Sequence, residues 1–407
     1  MEFELRQATD DDFDLLYQIK NDSIRPYVEQ IWGWDEQVQK DFLKRETPIE
    51  QVKLILVDGA MAGLVQLTEN EQGIFIGSLF LTSPFQSRGI GSAILEQAFQ
   101  SGKNVRLEVL KINPRAIQFY QNAGMEIEGE DELKYKMIKR KQMTILDKII
   151  ERKKEIVAAQ KEKKSETELR NYPLFARKTY SLVASLADPN RSDIITEFKR
   201  QSPSKGVING DADVVEVTKG YVRNGSACLS VLTDTDFFGG KNEDLIAARV
   251  NEIPILRKDF IVDTYQILEA KAIGADVILL IAACLTPQEV ATFTDYAHDL
   301  GLEVLLELYS GEELGHIYEK VDLVGINNRN LKTFEVDIDN SIRLLSHLPK
   351  DKPAIAESGI SHPDTVKTLM NAGFKGFLMG EHFMKTNDPA QAFADYYQAL
   401  KMLTDEN

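Results

Sequence analysis

From about residue 193 to the end of the chain, short apolar strands alternate with helical segments. The eight segments that we predict as strands are DIITEFKR, CLSVLTD, IPILRKDF, DVILLIAA, EVLLELY, LVGINNRN, KPAIAES and KGFLMGE. Helical segments such as DTYQILEAKAIG and HPDTVKTLMNAG separate them. Eight strands alternating with helices are typical of a (β/α)8 barrel, whose strands close into a parallel sheet. The sequence therefore predicts a TIM barrel.

The first 140 or so residues have a different organisation, with mixed strand-like and helical segments. KLILVDG and MAGLVQL predict a hairpin that turns at Asp58-Gly59, and GIFIGSLFLT predicts a further strand before the helix GSAILEQAFQSG. Between the two organisations, MTILDKIIERKKEIVAAQKEKKSETEL predicts an amphipathic helix that Thr144 and Asp147 cap at its start. We therefore predict an α/β domain with a mixed sheet over 1–141 and a barrel with an extra N-terminal helix over 142–407.

Composition excludes several classes of function. The net charge of −16 argues against general nucleic-acid binding. No segment approaches the length of a membrane span, and the acidic start MEFELRQATDDD does not resemble a targeting signal. Cys228 and Cys284 are the two cysteines, each in an apolar run, which indicates no disulfide framework and a cytoplasmic location. Five histidines without clustered spacing predict no metal site.

Polar residues collect where the predicted barrel strands end, although barrel strands otherwise fill their interior with apolar side chains. These residues are Glu197 and Lys199 on the first strand, Lys258 on the third, Glu307 on the fifth, Asn327 and Arg329 on the sixth, and Glu357 and Ser358 on the seventh. Each alone could serve in an ordinary ion pair. Because the carboxyl ends of barrel strands meet at one face, the set predicts an active site there.

Glycines after the last two strands indicate a phosphate-binding corner. Gly359 in ESGI and Gly380 in MGEHF lie where a strand gives way to a helix, and backbone N–H groups at such turns bind anions. Taken alone, each glycine could simply be an ordinary turn residue. The loop after the first strand, with Ser202 and Ser204, can close over the same anion.

These motifs, taken in order, resemble those of indole-3-glycerol phosphate synthase. EFKRQSPSKG, SVLTDTDFFGG, PILRKDFIVDTYQI, LLELY, GINNRNL and AESGI carry the resemblance, which runs from about Met143 to the C-terminus. It implies conversion of the phosphorylated substrate 1-(2-carboxyphenylamino)-1-deoxyribulose 5-phosphate to indole-3-glycerol phosphate, with loss of CO2 and water, in tryptophan biosynthesis. It also implies that the synthase needs no cofactor.

The resemblance implies six catalytic residues, which are Lys258, Lys199, Glu307, Glu197, Asn327 and Glu357. Lys258 is the expected general acid for the ketone oxygen, and its position at the barrel mouth can tune its pKa. Lys199 is expected to hold the substrate carboxylate and to assist loss of the hydroxyl, and Glu307 to act as a base in the dehydration. Glu197 and Asn327 are expected to orient hydroxyls and the lysines. Which lysine serves which step stays open.

The substrate-binding residues that the resemblance implies are Ser202, Phe238, Phe260, Arg329, Ser358, Gly359, Gly380 and Glu381. Phe238 and Phe260 either face the aromatic ring of the substrate or pack in the core. Arg329 either braces the site or forms a surface ion pair. Glu381 is expected to contact the phosphate through its backbone N–H, leaving its carboxylate to face water.

The N-terminal segment LFLTSPFQSRGIGSAILEQAF contains a second anion-binding pattern, a glycine-rich turn between a strand and a helix. The strand and helix LEVLKINPRAIQFYQNAGMEIEGE follow it. In this order the two blocks resemble the GNAT acyltransferase superfamily over about residues 3–139, which implies acetyl-CoA as co-substrate. The implied CoA-binding residues are Gln86, Arg88, Gly89, Ile90, Gly91, Ser92 and Asn113.

The same resemblance implies that Tyr120 protonates the departing thiolate, although an aromatic residue on a helix also packs in cores. Glu29 is a candidate base, and Trp32 and Trp34 lie where this superfamily recognises its acceptor. All three could instead form a helix face that packs on the sheet. Nothing in the sequence identifies the acceptor.

Two readings of the chain stay open from the sequence. In the first, an N-acetyltransferase is fused to the synthase. In the second, the N-terminal domain binds acetyl-CoA without turnover or supports the barrel. For the barrel, another sugar-phosphate enzyme such as phosphoribosylanthranilate isomerase is the alternative. The expected partners are the phosphorylated substrate and acetyl-CoA, with neither nucleic acid nor membrane, and association with other tryptophan-pathway enzymes stays open.

Overall fold

A computed structural model describes residues 3–70, 72–141, 143–330 and 335–405. The chain divides into two compact units, Met1–Gln142 and Met143–Asn407. Residue 142, the first of the predicted second domain, lies outside the described residues. No helix formed by the described residues is long and apolar enough to cross a membrane.

The N-terminal unit is a seven-stranded mixed sheet with helices. Its strands are β1 (Glu4–Gln7), β2 (Val52–Val57), β3 (Ala60–Asn70), β4 (Gly73–Leu81), β5 (Val105–Leu110), β6 (Glu126–Glu130) and β7 (Lys134–Lys139). Its helices are α1 (Phe13–Trp32), α2 (Glu36–Glu46), α3 (Ile90–Phe99) and α4 (Pro114–Asn122). The strand order is β1-β2-β3-β4-β5-β7-β6, and only the β4–β5 pair is parallel.

The predicted hairpin between β2 and β3 is confirmed. Val57 pairs with Ala60 across the turn, and Asp58 and Gly59 both have positive φ angles, 50° and 76°. Such a turn matches the right-handed twist of the two strands, and residues of the Asp-Gly type favour it. The hairpin places β3 between β2 and β4 in the sheet.

The second unit is a closed barrel of eight parallel strands, so the predicted fold is confirmed. The barrel strands are β8 (Ile194–Phe198), β11 (Cys228–Leu232), β12 (Ile255–Lys258), β13 (Val277–Ile281), β14 (Glu303–Leu308), β15 (Leu323–Asn327), β16 (Ala354–Glu357) and β17 (Gly376–Met379). Strand β17 pairs with β8 and closes the sheet. A two-stranded hairpin, β9 (Gln201–Ser202) with β10 (Gly206–Val207), follows β8.

Helices surround the barrel and precede it. They are α5 (Ile145–Lys163), α6 (Glu166–Arg170), α7 (Leu182–Leu186), α8 (Val214–Arg223), α9 (Asn242–Ala248), α10 (Thr264–Ile273), α11 (Pro287–Asp299), α12 (Ile338–Leu345), α13 (Pro363–Ala372), α14 (Glu381–Met384) and α15 (Pro389–Asp405). The predicted start of α5 is confirmed, because Thr144 and Asp147 form a capping box there. In a capping box each side chain accepts the backbone N–H of the other residue.

Alternate residues of the barrel strands enter two different cores. On β13, Val277, Leu279 and Ile281 pack inside the barrel, whereas Ile278 and Leu280 pack outward against the helices. A strand directs successive side chains to opposite faces, so a position two residues after an inward side chain also points inward. The same rule determines which polar side chains at the strand ends point into the barrel.

Candidate active site

Four of the six predicted catalytic residues follow inward-facing apolar residues by two positions, so they point into the barrel mouth. Leu256 precedes Lys258 in this way, and Leu305 precedes Glu307. The same spacing holds for Ile195 with Glu197 and Ile355 with Glu357, and Glu197 is in turn two positions before Lys199. The strand periodicity therefore converts separate positions in the sequence into one cluster.

One cavity at this mouth is lined by all fourteen residues that the sequence predicts for the barrel site. They are Lys258, Lys199, Glu307, Glu197, Asn327, Glu357, Ser202, Phe238, Phe260, Arg329, Ser358, Gly359, Gly380 and Glu381. Their presence in one cavity is a property of the structure. Their individual roles stay predictions.

Lys258 lies at the centre of the cluster, between two buried carboxylates. Its Nζ donates to Glu307 Oε2 at 2.9 Å and to Glu357 Oε2 at 3.0 Å. Burial alone would lower the pKa of Lys258, but the charges of Glu307, Glu357 and Glu197 outweigh burial and raise it. Lys258 therefore remains an ammonium ion at neutral pH.

The two carboxyl groups beside Lys258 differ in their affinity for a proton. Burial raises the pKa of Glu357 to about 8, because the charge of Glu307 reinforces burial and Lys258 offsets it only in part. Burial also acts to raise the pKa of Glu307, but Lys258 and the Asn327 amide outweigh it and lower the pKa below its ordinary value. Two carboxyl groups on one lysine thus separate into an ionised group and a protonated one.

A second lysine–carboxylate pair lies beside this centre. Lys199 Nζ donates to Glu197 Oε1 at 2.5 Å. Asn327 Nδ2 donates to Glu307 Oε1 at 2.9 Å, and Asn327 Oδ1 accepts from the backbone N–H of Arg329 at 2.9 Å. Asn327 therefore holds Glu307 in place and connects it to the loop after β15.

An apolar wall faces these charges. The rings of Phe238 and Phe260 lie 5.9 Å apart between centroids. Ile145, Leu146 and Ile149 of α5 complete the wall, and none of these three was among the predicted site residues. Their apolar spacing of three to four residues on the helix was the available signal, but it does not reveal which surface the helix covers.

The predicted phosphate-binding corner, here called the glycine corner, comprises Ser358, Gly359, Gly380 and Glu381, and its backbone has the geometry of an anion site. Ser358 and Gly359 both have positive φ angles, 65° and 71°, and consecutive N–H groups in such conformations can converge on an anion. The hydroxyl of Ser202 is buried and has no hydrogen-bond partner among the described residues. The Glu381 carboxylate, predicted to face water, is only partly exposed and lies 4.0 Å from Lys205 Nζ.

Two glycines make room for carboxylates that the sequence predicts to be catalytic, and only Gly380 was among the predicted site residues. A Cβ atom on Gly325 would lie 2.2 Å from Glu357 Oε1, and a Cβ atom on Gly380 would lie 2.7 Å from Glu197 Oε1. Any larger residue at Gly325 would therefore displace Glu357. The glycine at the centre of β15 is the only sequence signal for this requirement.

A buried lysine fixes α5 to the barrel beside the site. Lys153 Nζ lies 2.8 Å from Asp234 Oδ2 and 2.7 Å from Asp259 Oδ1, and all three side chains are almost fully buried. Asp259 adjoins Lys258 in the chain and also accepts a hydrogen bond from the Thr233 hydroxyl at 2.6 Å. Lys153 lies one turn beyond Ile149, so it secures the helix that supplies the apolar wall.

In the N-terminal unit, the turn before α3 has the geometry predicted for an anion cradle. Ser87 and Gly89 have φ angles of 60° and 83°. Gly91 packs closely, since a Cβ atom there would lie 3.1 Å from the Phe119 ring. Gln86 Nε2 donates to the backbone carbonyl of Leu81 at 2.8 Å and so braces the turn.

The remaining predicted residues of this turn differ in exposure. The guanidinium of Arg88 lies 5.5 Å from the ring centroid of Phe85, and Ser92 is exposed. The side chain of Ile90 is buried in the core, so only its backbone N–H can serve an anion. The helix α3 begins at this residue, which directs its first N–H groups toward the turn.

The other N-terminal candidates have identifiable surroundings. Burial raises the pKa of Tyr120 to about 12, which keeps its phenol protonated as an acid must be. Asn113 caps α4 by accepting the N–H of Ala116 at 3.0 Å. The alternative that Glu29 and Trp32 pack on the sheet is wrong, because both are exposed and Trp32 retains 59% of its accessible surface.

The fold and the site define a class of protein: a (β/α)8-barrel enzyme with a lysine–carboxylate centre at the carboxyl ends of its strands, joined to a mixed-sheet α/β domain. Residues 146–396 match the family model of indole-3-glycerol phosphate synthase, and residues 13–125 match that of the acetyltransferase (GNAT) family. The chain belongs to the indole-3-glycerol phosphate synthase family, and its N-terminal unit is a GNAT-like domain.

Curated relatives match the barrel over almost their whole length. The indole-3-glycerol phosphate synthase of Bacteroides thetaiotaomicron is 46% identical over 258 residues, which are 63% of this chain and 99% of the relative. That of Salinibacter ruber is 43% identical over 256 residues, which are 62% of this chain and 94% of the relative. These identities support the synthase activity of the barrel, and the GNAT match supports a fused N-acetyltransferase of unknown acceptor.

Solved structures also resemble the N-terminal unit. One is the PaiA N-acetyltransferase of Thermoplasma acidophilum in complex with coenzyme A, which is 19% identical, covers 34% of this chain and 99% of its own, and has a TM-score of 0.30. At this score the likeness assigns neither fold nor ligand.

The pKa of Glu357 generates a direct prediction. A carboxyl group with a pKa of about 8 is protonated below that pH and ionised above it. The infrared spectrum of the Glu357→Gln variant is subtracted from that of the unmodified protein. The difference should show a protonated carboxyl band at pH 6 that disappears as the pH rises through about 8. Glu381→Gln, at a partly exposed carboxylate, is the control. An ionised Glu357 at pH 6 would contradict the assignment.

The Lys153 network generates a second prediction. Lys153→Met leaves the buried carboxylates of Asp234 and Asp259 without their shared cation, and breaking a buried ion pair in this way costs about 3–5 kcal/mol. The free energy of unfolding, measured by denaturant titration, should fall by about that amount. Lys154→Met, at the exposed neighbouring position, should leave it nearly unchanged. Equal stability of the two variants would exclude a structural role for the pair.

Proposed function

We propose that the cluster around Lys258 carries out the three steps of the synthase reaction. The observation that supports this most is the ammonium of Lys258 held between Glu307 and Glu357 in a cavity that also contains Lys199 and the glycine corner. The corner formed by Ser358, Gly359, Gly380 and Glu381, with Ser202, binds the substrate phosphate. The wall of Phe238 and Phe260 receives the aromatic ring.

In the ring closure, the aromatic carbon that bears the carboxylate attacks the ketone carbon. Negative charge develops on the ketone oxygen, and Lys258 donates a proton to it. Breaking the bond to the carboxylate releases CO2 and restores the aromatic ring. Glu357 holds a proton near neutral pH and adjoins Lys258, so it can return a proton to the lysine.

The dehydration uses the second lysine and the ionised carboxylate. Lys199 protonates the departing hydroxyl, which leaves as water, and Glu307 takes a proton from the substrate. The lowered pKa of Glu307 keeps it ionised, as a base must be before it accepts a proton. Glu197 and Asn327 hold Lys199 and Glu307 in position, and Arg329 braces the loop beyond them. These roles require no cofactor.

The alternative barrel enzyme, an isomerase of a sugar phosphate, fits the site less well. Such an enzyme moves a proton between two adjacent carbon atoms and needs an acid and a base for that step. Here Lys199 and Lys258 line one cavity with the carboxyl groups of Glu197, Glu307 and Glu357 and an apolar wall, which suits the successive closure, decarboxylation and dehydration. The synthase reaction uses all of these groups.

We further propose that the turn before α3 binds the pyrophosphate of acetyl-CoA. Gln86, Arg88, Gly89, Ile90, Gly91 and Ser92 form this turn and the first residues of the helix. Asn113 contacts the pantetheine arm, and Tyr120 protonates the CoA thiolate as the amine displaces it. The protein is then bifunctional. The alternative is a domain that binds acetyl-CoA without transferring the acetyl group.

Replacing Lys258 tests the barrel proposal. Lys258→Ala should reduce the rate of indole-3-glycerol phosphate formation by at least about 100-fold, since general acids contribute about 10²–10⁴ in rate. Circular dichroism should show that the fold is retained, and Lys258→Met serves if the alanine variant does not fold. The exposed Lys350→Ala is the control. Near-normal turnover by a folded Lys258 variant would rule out the assignment.

Calorimetric titration of acetyl-CoA into the full-length protein tests the second proposal. The protein should bind acetyl-CoA, and Gly89→Val and Gly91→Val should abolish binding, because one position has a φ of 83° and the other packs against Phe119. Gly129→Ala, with ordinary space around it, is the matched control. Unchanged binding by the folded valine variants would contradict the site. Binding without transfer to any amine would favour the non-catalytic alternative.

A further inference from the structure

Helix α1 and the residues just after it contain an unusual group of buried polar atoms. Among the residues that the structure describes, twelve buried side-chain nitrogen or oxygen atoms have no hydrogen-bond partner. Five of the twelve belong to an 18-residue segment, and they lie on Tyr17, Lys20, Asn21, Ser23 and Trp34. Because an unsatisfied buried polar atom costs about 1–3 kcal/mol, such a concentration calls for a ligand or ordered water.

Lys20 is the most costly member of the group. It is only 5% exposed, and its ammonium forms neither a hydrogen bond nor an ion pair with any described residue. The ring of Phe42 on α2 lies beside the ammonium, with its centroid 4.6 Å from Nζ, and offers only a cation–π contact. Burial lowers the pKa of Lys20 to about 8, so the ammonium form still predominates at neutral pH.

Four of these residues, Tyr17, Lys20, Asn21 and Trp34, form one strip where α1 meets α2. Tyr17, Asn21 and Arg25 follow each other at intervals of four residues, so they share a face of the helix. Trp34 lies against Arg25, with 5.5 Å between the guanidinium carbon and the ring. Lys40 of α2 lies 5.0 Å from the ring centroid of Tyr17, which places the second helix against the same part of α1.

The strip consists mainly of donors and cations. The ammonium of Lys20, the hydroxyl of Tyr17 and the indole N–H of Trp34 can donate, whereas the unpartnered Oδ1 of Asn21 can only accept. Glu29 on the same helix pairs with Arg25 at 3.6 Å rather than with Lys20. An anionic group that entered the strip would therefore satisfy several donors at once and would neutralise the buried ammonium.

We propose that this strip binds a carboxylate of the acetyl acceptor, so the acceptor is an amine that also carries a carboxylate, as amino acids do. The inference rests on the transferase activity proposed above. Helix α1 packs on β3 and β4, and β4 runs directly into the turn assigned to acetyl-CoA. The amine nitrogen bonds to the acetyl carbonyl carbon as the thioester C–S bond breaks. The thiolate takes the proton of Tyr120, and the amine releases its proton to solvent.

The test uses the full-length protein and measures CoA release from acetyl-CoA with paired amines. Each free amino acid is compared with its carboxamide, and phosphoethanolamine distinguishes a phosphate from a carboxylate. We expect kcat/KM to be at least about tenfold higher for the carboxylate member of the preferred pair. Lys20→Met should remove this preference and Lys20→Arg should retain it, whereas Lys53→Met, at an exposed lysine of β2, should have no effect.

Four other outcomes would overturn the proposal, and calorimetry with acetyl-CoA on the same samples separates them from failure of the transferase itself. With acetyl-CoA bound, equal rates for acids and amides would exclude carboxylate recognition. Higher rates with phosphoethanolamine would assign the strip to phosphate. An unchanged preference in folded Lys20→Met would show that the strip holds ordered water only. No acetyl-CoA binding by the unmodified protein would remove the activity on which the inference rests. If Lys20→Met does not fold, Tyr17→Phe replaces it, with the same expected loss of preference.

Discussion

The contact between the ammonium of Lys258 and the carboxyl groups of Glu307 and Glu357 is the interaction on which the rest of the barrel site depends. Each of these charges would be costly to bury alone, so each is tolerated only because the others are present. If both carboxyl groups were ionised beside the single ammonium of Lys258, the two carboxylates would repel each other. The pKa values separate accordingly, with Glu307 ionised and Glu357 near neutral. The charge balance that permits burial thus also leaves an ionised carboxylate, a protonated carboxyl group and an ammonium ion in one cavity.

This arrangement requires strands that deliver side chains to one point, and the barrel provides them. The inward residues of eight parallel strands converge at the mouth, where the last inward position of each strand is free of the apolar layers below. Gly325 and Gly380 leave room beside Glu357 and Glu197, so the carboxylates can lie against the neighbouring strands. Removing either glycine would therefore disturb the charge cluster and not merely the local backbone.

Much of the barrel and its site could be predicted from the sequence, because both follow from local periodicity. The alternation of strands and helices fixed the fold, and the two-residue period placed Lys258 and Glu307 at the mouth. The contribution of α5 could not be predicted, because the amphipathic pattern shows that the helix buries a face but not what it covers. The pairing of Lys153 with Asp234 and Asp259 likewise joins residues about 80 and 100 positions apart, which no local pattern connects.

Buried lysines have opposite electrostatic surroundings in the two units. In the barrel, Lys153 and Lys258 each contact two carboxyl groups, and the pKa of both is raised. In the N-terminal unit, Lys20 is about as buried as Lys153, yet among the described residues it contacts the ring of Phe42 and no carboxylate, and its pKa is lowered. The paired Lys153 fixes α5 to the barrel, and the paired Lys258 lies in the cavity of the proposed active site. Lys20 has no carboxylate partner among the described residues, so its positive charge is not offset within the described chain, and an incoming carboxylate would supply the missing counter-charge.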